Sequence, residues 1–281
     1  MLFQPYLFRG LAFLPLLLLA LQVRATTPSE CIANHCAEDA VFQLAPAASL
    51  SEVGLFEGAT GYKDLLRLGD TGLGALSPLE GEVIVVDGIA FHADEGGKLK
   101  KLPTTATTSF AFVKRFRADR ELPLNPAANL KEFIQALDAG ITSANLFYAV
   151  RIDGLFNKVL LRSVARQTPP YPPLADVVAK QHVFALKQIK GTLVGFRFPS
   201  YLGSTNAEGW HFHFVDQKRI IGGHVLDLTT APLVAQLDES RSLTLILPED
   251  AAFDKADFTG SQVDSDSMKR AINAPVNGGN D

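Results

Sequence analysis

The sequence is short of sulfur and of long apolar runs. Of its 281 residues only two are cysteine and two are methionine. Both cysteines, Cys31 and Cys36, lie near the N-terminus, so no thiol stands beside any motif further along. In an oxidising compartment the pair closes a small loop; otherwise they are two unpaired thiols in a leader. One conspicuous apolar stretch, Leu11 to Leu21, falls short of the roughly 20 residues that span a bilayer. No later stretch is long and apolar enough to do so. A basic block interleaved with aromatics is also missing, which argues against nucleic acid as a partner. There is no internal repeat and no long low-complexity tract.

The short apolar run has a charged start at Arg9 and a small-residue exit at Val23-Arg24-Ala25. That arrangement describes a secretory signal. Residues 1–25 are therefore read as a signal peptide, with an uncleaved anchor as the alternative. The mature protein is expected outside the cytoplasm, secreted or periplasmic, with no stable membrane span after cleavage. Removing the leader takes away two arginines and no acid, which carries the formal charge from −4 to −6. The remaining chain is long enough for one large domain or two small lobes. Its apolar content, 47% over the full sequence, supports a real core rather than a disordered chain.

Glycines cluster at Gly69, Gly72 and Gly74 and read as a loop. From Gly81 the pattern turns to strand. Val83 to Val86 is an apolar, β-branched run, Asp87-Gly88 signals a hairpin turn, and Ile89 to His92 continues the pattern. Phe110 to Phe116 is a further strand. Asn129 caps a helix through Leu130, Phe133, Ile134 and Leu137 that stops at Gly140. A second Asp-Gly pair, Asp153-Gly154, is read as a turn joining Leu146–Ile152 to Leu155–Val164. A proline-rich break at Thr168 to Pro173 precedes a short helix from Leu174 to Lys180. Strands resume at Gly191–Phe198, Trp210–Val215 and Ile220–Leu228. Strands dominate, so the expected fold class is α+β, or mixed α/β: two-lobed mixed β-sheets with a few packing helices. The expected division is a leader and start of the first lobe over 26–68, a first lobe over 69–168, a second lobe over 169–264 and a polar tail over 265–281.

Of six histidines, three fall within fourteen residues: His211, His213 and His224. If Trp210–Val215 and Ile220–Leu228 form a hairpin about Gln217 and Lys218, His211 lies across from His224. His213 then shares their face, because side chains alternate along a strand. Directly opposed Cβ atoms sit roughly 4.5–5.5 Å apart. Three imidazoles converging in this way suit a tetrahedral zinc with an open position. Gly222 and Gly223 are read as clearing space for the ion, and Phe212 and Phe214 as core. The bland alternative is three unrelated sheet histidines. His35, His92 and His182 show no such arrangement and read as structural or surface residues.

Pairing across Asp87-Gly88 puts Glu82 on one face with Ile84, Val86, Ile89 and Phe91. A carboxylate there loses solvation, which favours its neutral form and suits a proton carrier. The alternative is a glutamate at a strand start, pointing to water. Pairing across Asp153-Gly154 puts Leu146, Tyr148, Val150, Ile152, Leu155, Val159 and Leu161 on a core face. Arg151, Lys158 and Arg162 share the other, with Phe147 and Phe156 between the charges. Arg162 on a rigid strand can clamp a carboxylate bidentately; Arg151 and Lys158 read as solvated.

Several stretches together resemble one family, the alpha-acetolactate decarboxylases. They are Leu146 to Gly154, Gly81-Glu82 before an apolar strand, Arg162-Ser163 with Gln167, Pro170-Tyr171-Pro172-Pro173, Gly191 to Phe196, and Gly222-Gly223-His224-Val225. They run in consistent order from about Gly69 to Leu228. The resemblance implies a homodimeric zinc lyase of mixed-sheet fold that converts (S)-2-acetolactate to (R)-acetoin and carbon dioxide, as in acetoin biosynthesis. It places Zn2+ on His211, His213 and His224, a catalytic glutamate on Glu82 and a substrate arginine on Arg162. Zinc would stabilise the enediolate left by decarboxylation. No organic cofactor is implied, because the substrate's own carbonyl is the electron sink.

Two positions depart from the family pattern. Ala75 stands where a threonine is usual, in Gly72-Leu73-Gly74-Ala75, and no glutamate follows Glu249, where the family tends to have one near its C-terminus. A zinc-binding protein without turnover is therefore one alternative. A carbonic anhydrase-like hydratase is another, from His211-Phe212-His213-Phe214, though its third histidine would come from much further along the chain. Cupins share the His-x-His pair but usually add a glutamate a few residues on, absent from Phe214-Val215-Asp216-Gln217. Unreduced exported protein is expected to begin near Thr26 by mass spectrometry with Cys31 and Cys36 bonded. Alkylatable thiols would reject the bond, and an intact Met1 would reject cleavage.

Overall fold

The structure is a computed structural model, and it describes Met1 and residues 39–259. The signal-peptide cleavage site, Cys31, Cys36, His35, Asp264, Asp266 and the tail lie outside the described residues. The chain runs β1 (Val41–Leu44), α1 (Ala48–Ser51), β2 (Thr60–Gly61), α2 (Tyr62–Leu68), β3 (Thr71–Leu76), β4 (Glu80–Val86), β5 (Ile89–Ala93) and β6 (Leu99–Lys101). Then come β7 (Thr107–Thr108), β8 (Ala111–Lys114), β9 (Arg120–Leu124), α3 (Leu130–Gly140), β10 (Phe147–Ser163), α4 (Leu174–Ala179) and β11 (His182–Phe198). A 3-10 segment at Ser200–Thr205 leads into β12 (Gly209–Asp216), β13 (Gly222–Thr230), β14 (Leu233–Ser240), β15 (Leu243–Ile246) and α5 (Ala251–Lys255).

Multiple sheets with few helices, as the strand-rich pattern implied, are what forms. Seven strands pair in the order β15-β1-β8-β3-β4-β5-β6, with β1 and β15 parallel. Six pair in the order β11-β12-β13-β10-β14-β9. Because β10 also pairs with β11, the strands β10, β11, β12 and β13 close a circuit. Phe133, Phe156, Val159, Leu161, Phe212 and Phe214 fill one core against that circuit. A second core joins Leu73, Ile84, Val86 and Phe112 to Val194, Phe196 and Val215, so the two sheets meet through it. Among the described residues, no helix is long and apolar enough to cross a membrane.

Local chemistry accounts for the elements that form as expected. Asp87 and Gly88 both adopt left-handed angles, φ 54° and 70°, the conformation a two-residue hairpin turn requires. Val86 faces Ile89, and Glu82 faces Ala93. Asn129 Oδ1 accepts the Glu132 backbone N–H at 2.9 Å, and Glu132 Oε2 accepts the Ala128 N–H at 2.9 Å; this reciprocal cap starts α3 where the sequence placed it.

Three local expectations are overturned. The glycines at 72 and 74 belong to the buried strand β3, not to a loop. A Cβ on Gly72 would stand 2.4 Å from the Phe112 carbonyl oxygen, so glycine answers the close approach of β8. Asp153-Gly154 makes no turn: β10 continues through it for 17 residues, paired with β11 along its length. Here the glycine makes room for Leu233, whose Cδ2 would lie 2.4 Å from an added Cβ. The irregularity comes between Phe156 and Lys158 instead, as a bulge, which flips the side-chain alternation. Val159 and Leu161 therefore still face the core, but Phe156 is buried and Leu155 exposed, the reverse of the expectation, and Phe147 is buried in the second core.

A charged pair ties the sheets together. Lys114 on β8 and Asp238 on β14 are each only 1% exposed, with Nζ and Oδ1 3.1 Å apart. Lys114 also donates to the Asp39 carbonyl and carboxylate at 2.8 and 2.6 Å, and Asp238 accepts the Arg117 N–H at 2.7 Å. Burial pushes the Asp238 carboxyl up to about 7, against the pull of Lys114. Lys114→Met strands that carboxyl, and urea unfolding should show a loss of about 3–5 kcal/mol. The loss should deepen as pH rises above about 7, because the folded variant then still holds a proton that the folded parent and the unfolded chain have both given up. Adding Asp238→Leu should recover much of it. A single variant as stable as the parent across this range would show that the pair does not hold the sheets.

Candidate metal centre

Three adjacent strands carry the site. On β12 the side chains alternate, so Trp210, Phe212 and Phe214 enter the first core while His211 and His213 face the seven-stranded sheet with Val215. His213 lies directly opposite His224 on β13, and His224 opposite Arg162 on β10. Arg162, His224 and His213 thus form a row across neighbouring strands, which lie roughly 4.8 Å apart in a sheet. Glu82 comes from the other sheet, on the same face of β4 as Ile84 and Val86.

The hairpin register differs from the expected one by two residues: His213, not His211, faces His224. The connection spans Gln217 to Ile221. It is folded by Asp216, whose carboxylate accepts the N–H groups of Lys218, Ile220 and Ile221 at 3.0, 2.7 and 2.9 Å. A slip of two keeps every side chain on its face, so the three histidines still converge. Their nearest ring nitrogens lie within 4.8 Å of one another, and His211 Nε2 is 2.9 Å from His224 Nδ1. Phe112 packs edge-on against the His211 ring, centroids 5.8 Å apart. Gly222 and Gly223 serve packing rather than the ion: a Cβ would meet the Phe214 carbonyl at 2.4 Å or the Arg162 carbonyl at 2.7 Å.

His213 shows most clearly what the site can hold. Its Nδ1 is 3.0 Å from the Val83 carbonyl oxygen. A carbonyl only accepts, so Nδ1 carries the hydrogen and the neutral ring presents a lone pair on Nε2. That atom is buried with no hydrogen-bond partner among the described residues. Burial, opposed by the Val83 bond, pushes the His213 ring down to about 3. Burial also holds His211 well below the usual range, helped by His213 and Arg162. Uncharged imidazole, oriented by a carbonyl on its other nitrogen, is the form that ligates metal. The donor set fits a divalent transition ion.

Glu82 Oε2 lies 3.4 Å from His213 Nε2, and Glu82 Oε1 lies 3.3 Å from Arg162 Nη1. Burial raises the Glu82 carboxyl to about 7, with Arg162 pulling the other way. Burial lowers Arg162 from its ordinary value, and Glu82 opposes that shift. Two acceptors face each other between Glu82 and His213, an arrangement that calls for a proton or a cation between them. Gly81 sets Glu82 in place: its φ is +60°, and a Cβ would stand 2.0 Å from the Ala93 carbonyl. Two other histidines among the described residues stand apart: His92 is buried against the Glu80 carbonyl at 3.1 Å, and His182 is exposed against Phe184.

Four of the site's groups open onto one cavity of about 90 Å³. Glu82, Arg162, His211 and His213 line it together with apolar residues that include Leu50, Leu79, Phe110 and Leu174. Ala75 is at the wall; its carbonyl accepts the Thr108 and Tyr62 hydroxyls at 2.6 and 3.1 Å. Asn206 also lines the cavity, and sequence reasoning missed it because it belongs to no motif.

A family profile described as alpha-acetolactate decarboxylase matches residues 41–260. The chain belongs to the alpha-acetolactate decarboxylase family. It is 39% identical over 222 residues to the alpha-acetolactate decarboxylase of Methylococcus capsulatus, covering 79% of this chain and 85% of that one. It is likewise 39% identical over 238 residues to the Methanosarcina mazei protein of that name, covering 85% and 82%. The crystal structure of the Bacillus subtilis alpha-acetolactate decarboxylase superposes with a TM-score of 0.78 at 29% identity, over 83% of this chain and 98% of that one. An alpha-acetolactate decarboxylase is a carboxy-lyase acting on a small molecule, and this chain is an enzyme of that kind.

Proposed function

We propose that this alpha-acetolactate decarboxylase converts (S)-2-acetolactate to (R)-acetoin and carbon dioxide, with zinc held by His211, His213 and His224. One observation carries the reading: the buried Nε2 of neutral His213, with no hydrogen-bond partner among the described residues, lies beside the Glu82–Arg162 pair in a single cavity. Three imidazole nitrogens suit zinc with an open position. When bound, it supplies a Lewis acid for the negative charge that develops as the carboxylate leaves.

The chain's own groups do the rest. Arg162 offers a planar fork of donors to the substrate carboxylate and holds it against the sheet. Loss of carbon dioxide breaks one carbon–carbon bond and leaves its electron pair on the substrate as an enediolate. Glu82, with a carboxyl near 7, holds a proton at neutral pH in a fraction of molecules and delivers it to that carbon, forming the new C–H bond of acetoin. The apolar walls exclude water, which strengthens each of these interactions. Glu82, buried beside His213 and Arg162, carries the proton work in this reading. The same reading takes the enzyme to act as a homodimer and to be exported after loss of residues 1–25.

Acetolactate should yield acetoin and carbon dioxide, and a chelator should abolish turnover until zinc is restored. Glu82→Gln keeps the shape and removes the titrating group; it should lower kcat by about a hundredfold or more with metal still bound. Asp264→Asn and Asp266→Asn should act like the parent. Hydration of carbon dioxide without attack on acetolactate would reject the reaction. Parent-like kinetics in Glu82→Gln would reject the role given to that residue.

A further inference from the structure

Of the polar side chains lining the cavity, two can donate a hydrogen bond whatever their state of titration: Arg162 and Asn206. Arg162 is shared with Glu82 at 3.3 Å. Asn206 is buried, between the 3-10 segment and β12, five residues ahead of His211. Its amide orientation is determined from both ends. Oδ1 accepts the Ala207 N–H at 2.8 Å. Nδ2 donates to Gln43 Oε1 at 2.8 Å. Gln43 cannot turn its amide around, because its Nε2 already donates to the Ala45 and Thr205 carbonyls at 2.9 and 2.6 Å. Gln43 is itself fully buried.

Asn206 Nδ2 has a second hydrogen with no acceptor among the described residues. A buried amide N–H left without a partner is costly, typically about 1–3 kcal/mol, unless a ligand or water meets it. A bound carboxylate has lost its own water and needs donors that the shared Arg162 fork does not fully provide.

We propose that Asn206 is a substrate-binding residue, donating a hydrogen bond from its locked side-chain amide to the carboxylate of the 2-hydroxy-3-oxo acid. This rests on the reaction proposed above only for the identity of the ligand. Gln43 is then a positioning residue that aims the amide without touching substrate.

The test uses the metal-loaded full chain with two probes of different charge: the unreactive anion 2-hydroxy-2-methylpropanoate and neutral acetoin. Titration calorimetry on Asn206→Asp, which keeps the shape but replaces the donor by an acceptor, should show the anion bound about tenfold or more weakly. Acetoin should change less than about twofold, and KM for acetolactate should rise more than kcat falls. Asn206→Ser, which keeps a shorter donor, should fall between the two and guards against misfolding of the first variant. Equal weakening of both probes would show a structural role and overturn the proposal, as would unchanged binding of the anion. If the parent fails to decarboxylate acetolactate yet binds the hydroxy acid through Asn206, the assigned reaction falls and the role of Asn206 stands.

Discussion

The rest of the structure depends on removing water from several titratable side chains at once. Glu82, Arg162 and His213 sit between two sheets, where their ordinary protonation states are expensive. Burial pushes His211 and His213 toward the uncharged form and lifts the carboxyl of Glu82. Neither change needs a special residue. Both follow from placing an imidazole row and a carboxylate on the facing surfaces of two β-sheets. Neutral nitrogen donors that could hold a metal, and a carboxyl lifted well above the usual carboxylate range, are two results of one desolvated layer.

Such a layer must be held rigidly, since a sheet that slid by one strand spacing would separate Glu82 from the histidines. Hydrogen bonds between the two halves of the layer prevent this. Gly81 donates to the Val164 carbonyl at 2.9 Å, Gly222 to the Gly97 carbonyl at 2.9 Å, and the Ser163 hydroxyl to the Ala93 carbonyl at 3.1 Å. Phe112 reaches across to Phe196 and Phe198, with centroids 5.0 and 5.1 Å apart. The Lys114–Asp238 pair adds a charged link away from the chemistry. The closed circuit of β10 to β13 gives the histidine row a stiff backing, because each of its strands is paired on both sides.

What the sequence makes legible here is set by the two-residue period of strands. His211 and His213 share a face because they are two apart, and Glu82 shares one with Ile84 and Val86 for the same reason. The expected register was off by two residues, yet the site survived, since an even slip leaves every face unchanged. Turn chemistry is less legible. Asp87-Gly88 and Asp153-Gly154 are the same dipeptide, and only the first turns; the second stays extended because β11 pairs along it and Leu233 needs the space. Nothing local distinguishes them. Glycines 72 and 74 misled likewise, since a neighbouring strand rather than a loop requires them. Asn206 is out of reach of sequence patterns: its meaning comes from Gln43, on a strand more than 160 positions away.

The central claim, proposed above, is that these three histidines hold zinc through neutral ring nitrogens. X-ray absorption at the zinc edge on purified protein tests it most directly. Three imidazole nitrogens at about 2.0–2.1 Å with one or two further light atoms are predicted, the number of imidazoles falling in His213→Ala. A zinc shell without imidazole scattering, or one unchanged in that variant, would contradict the account.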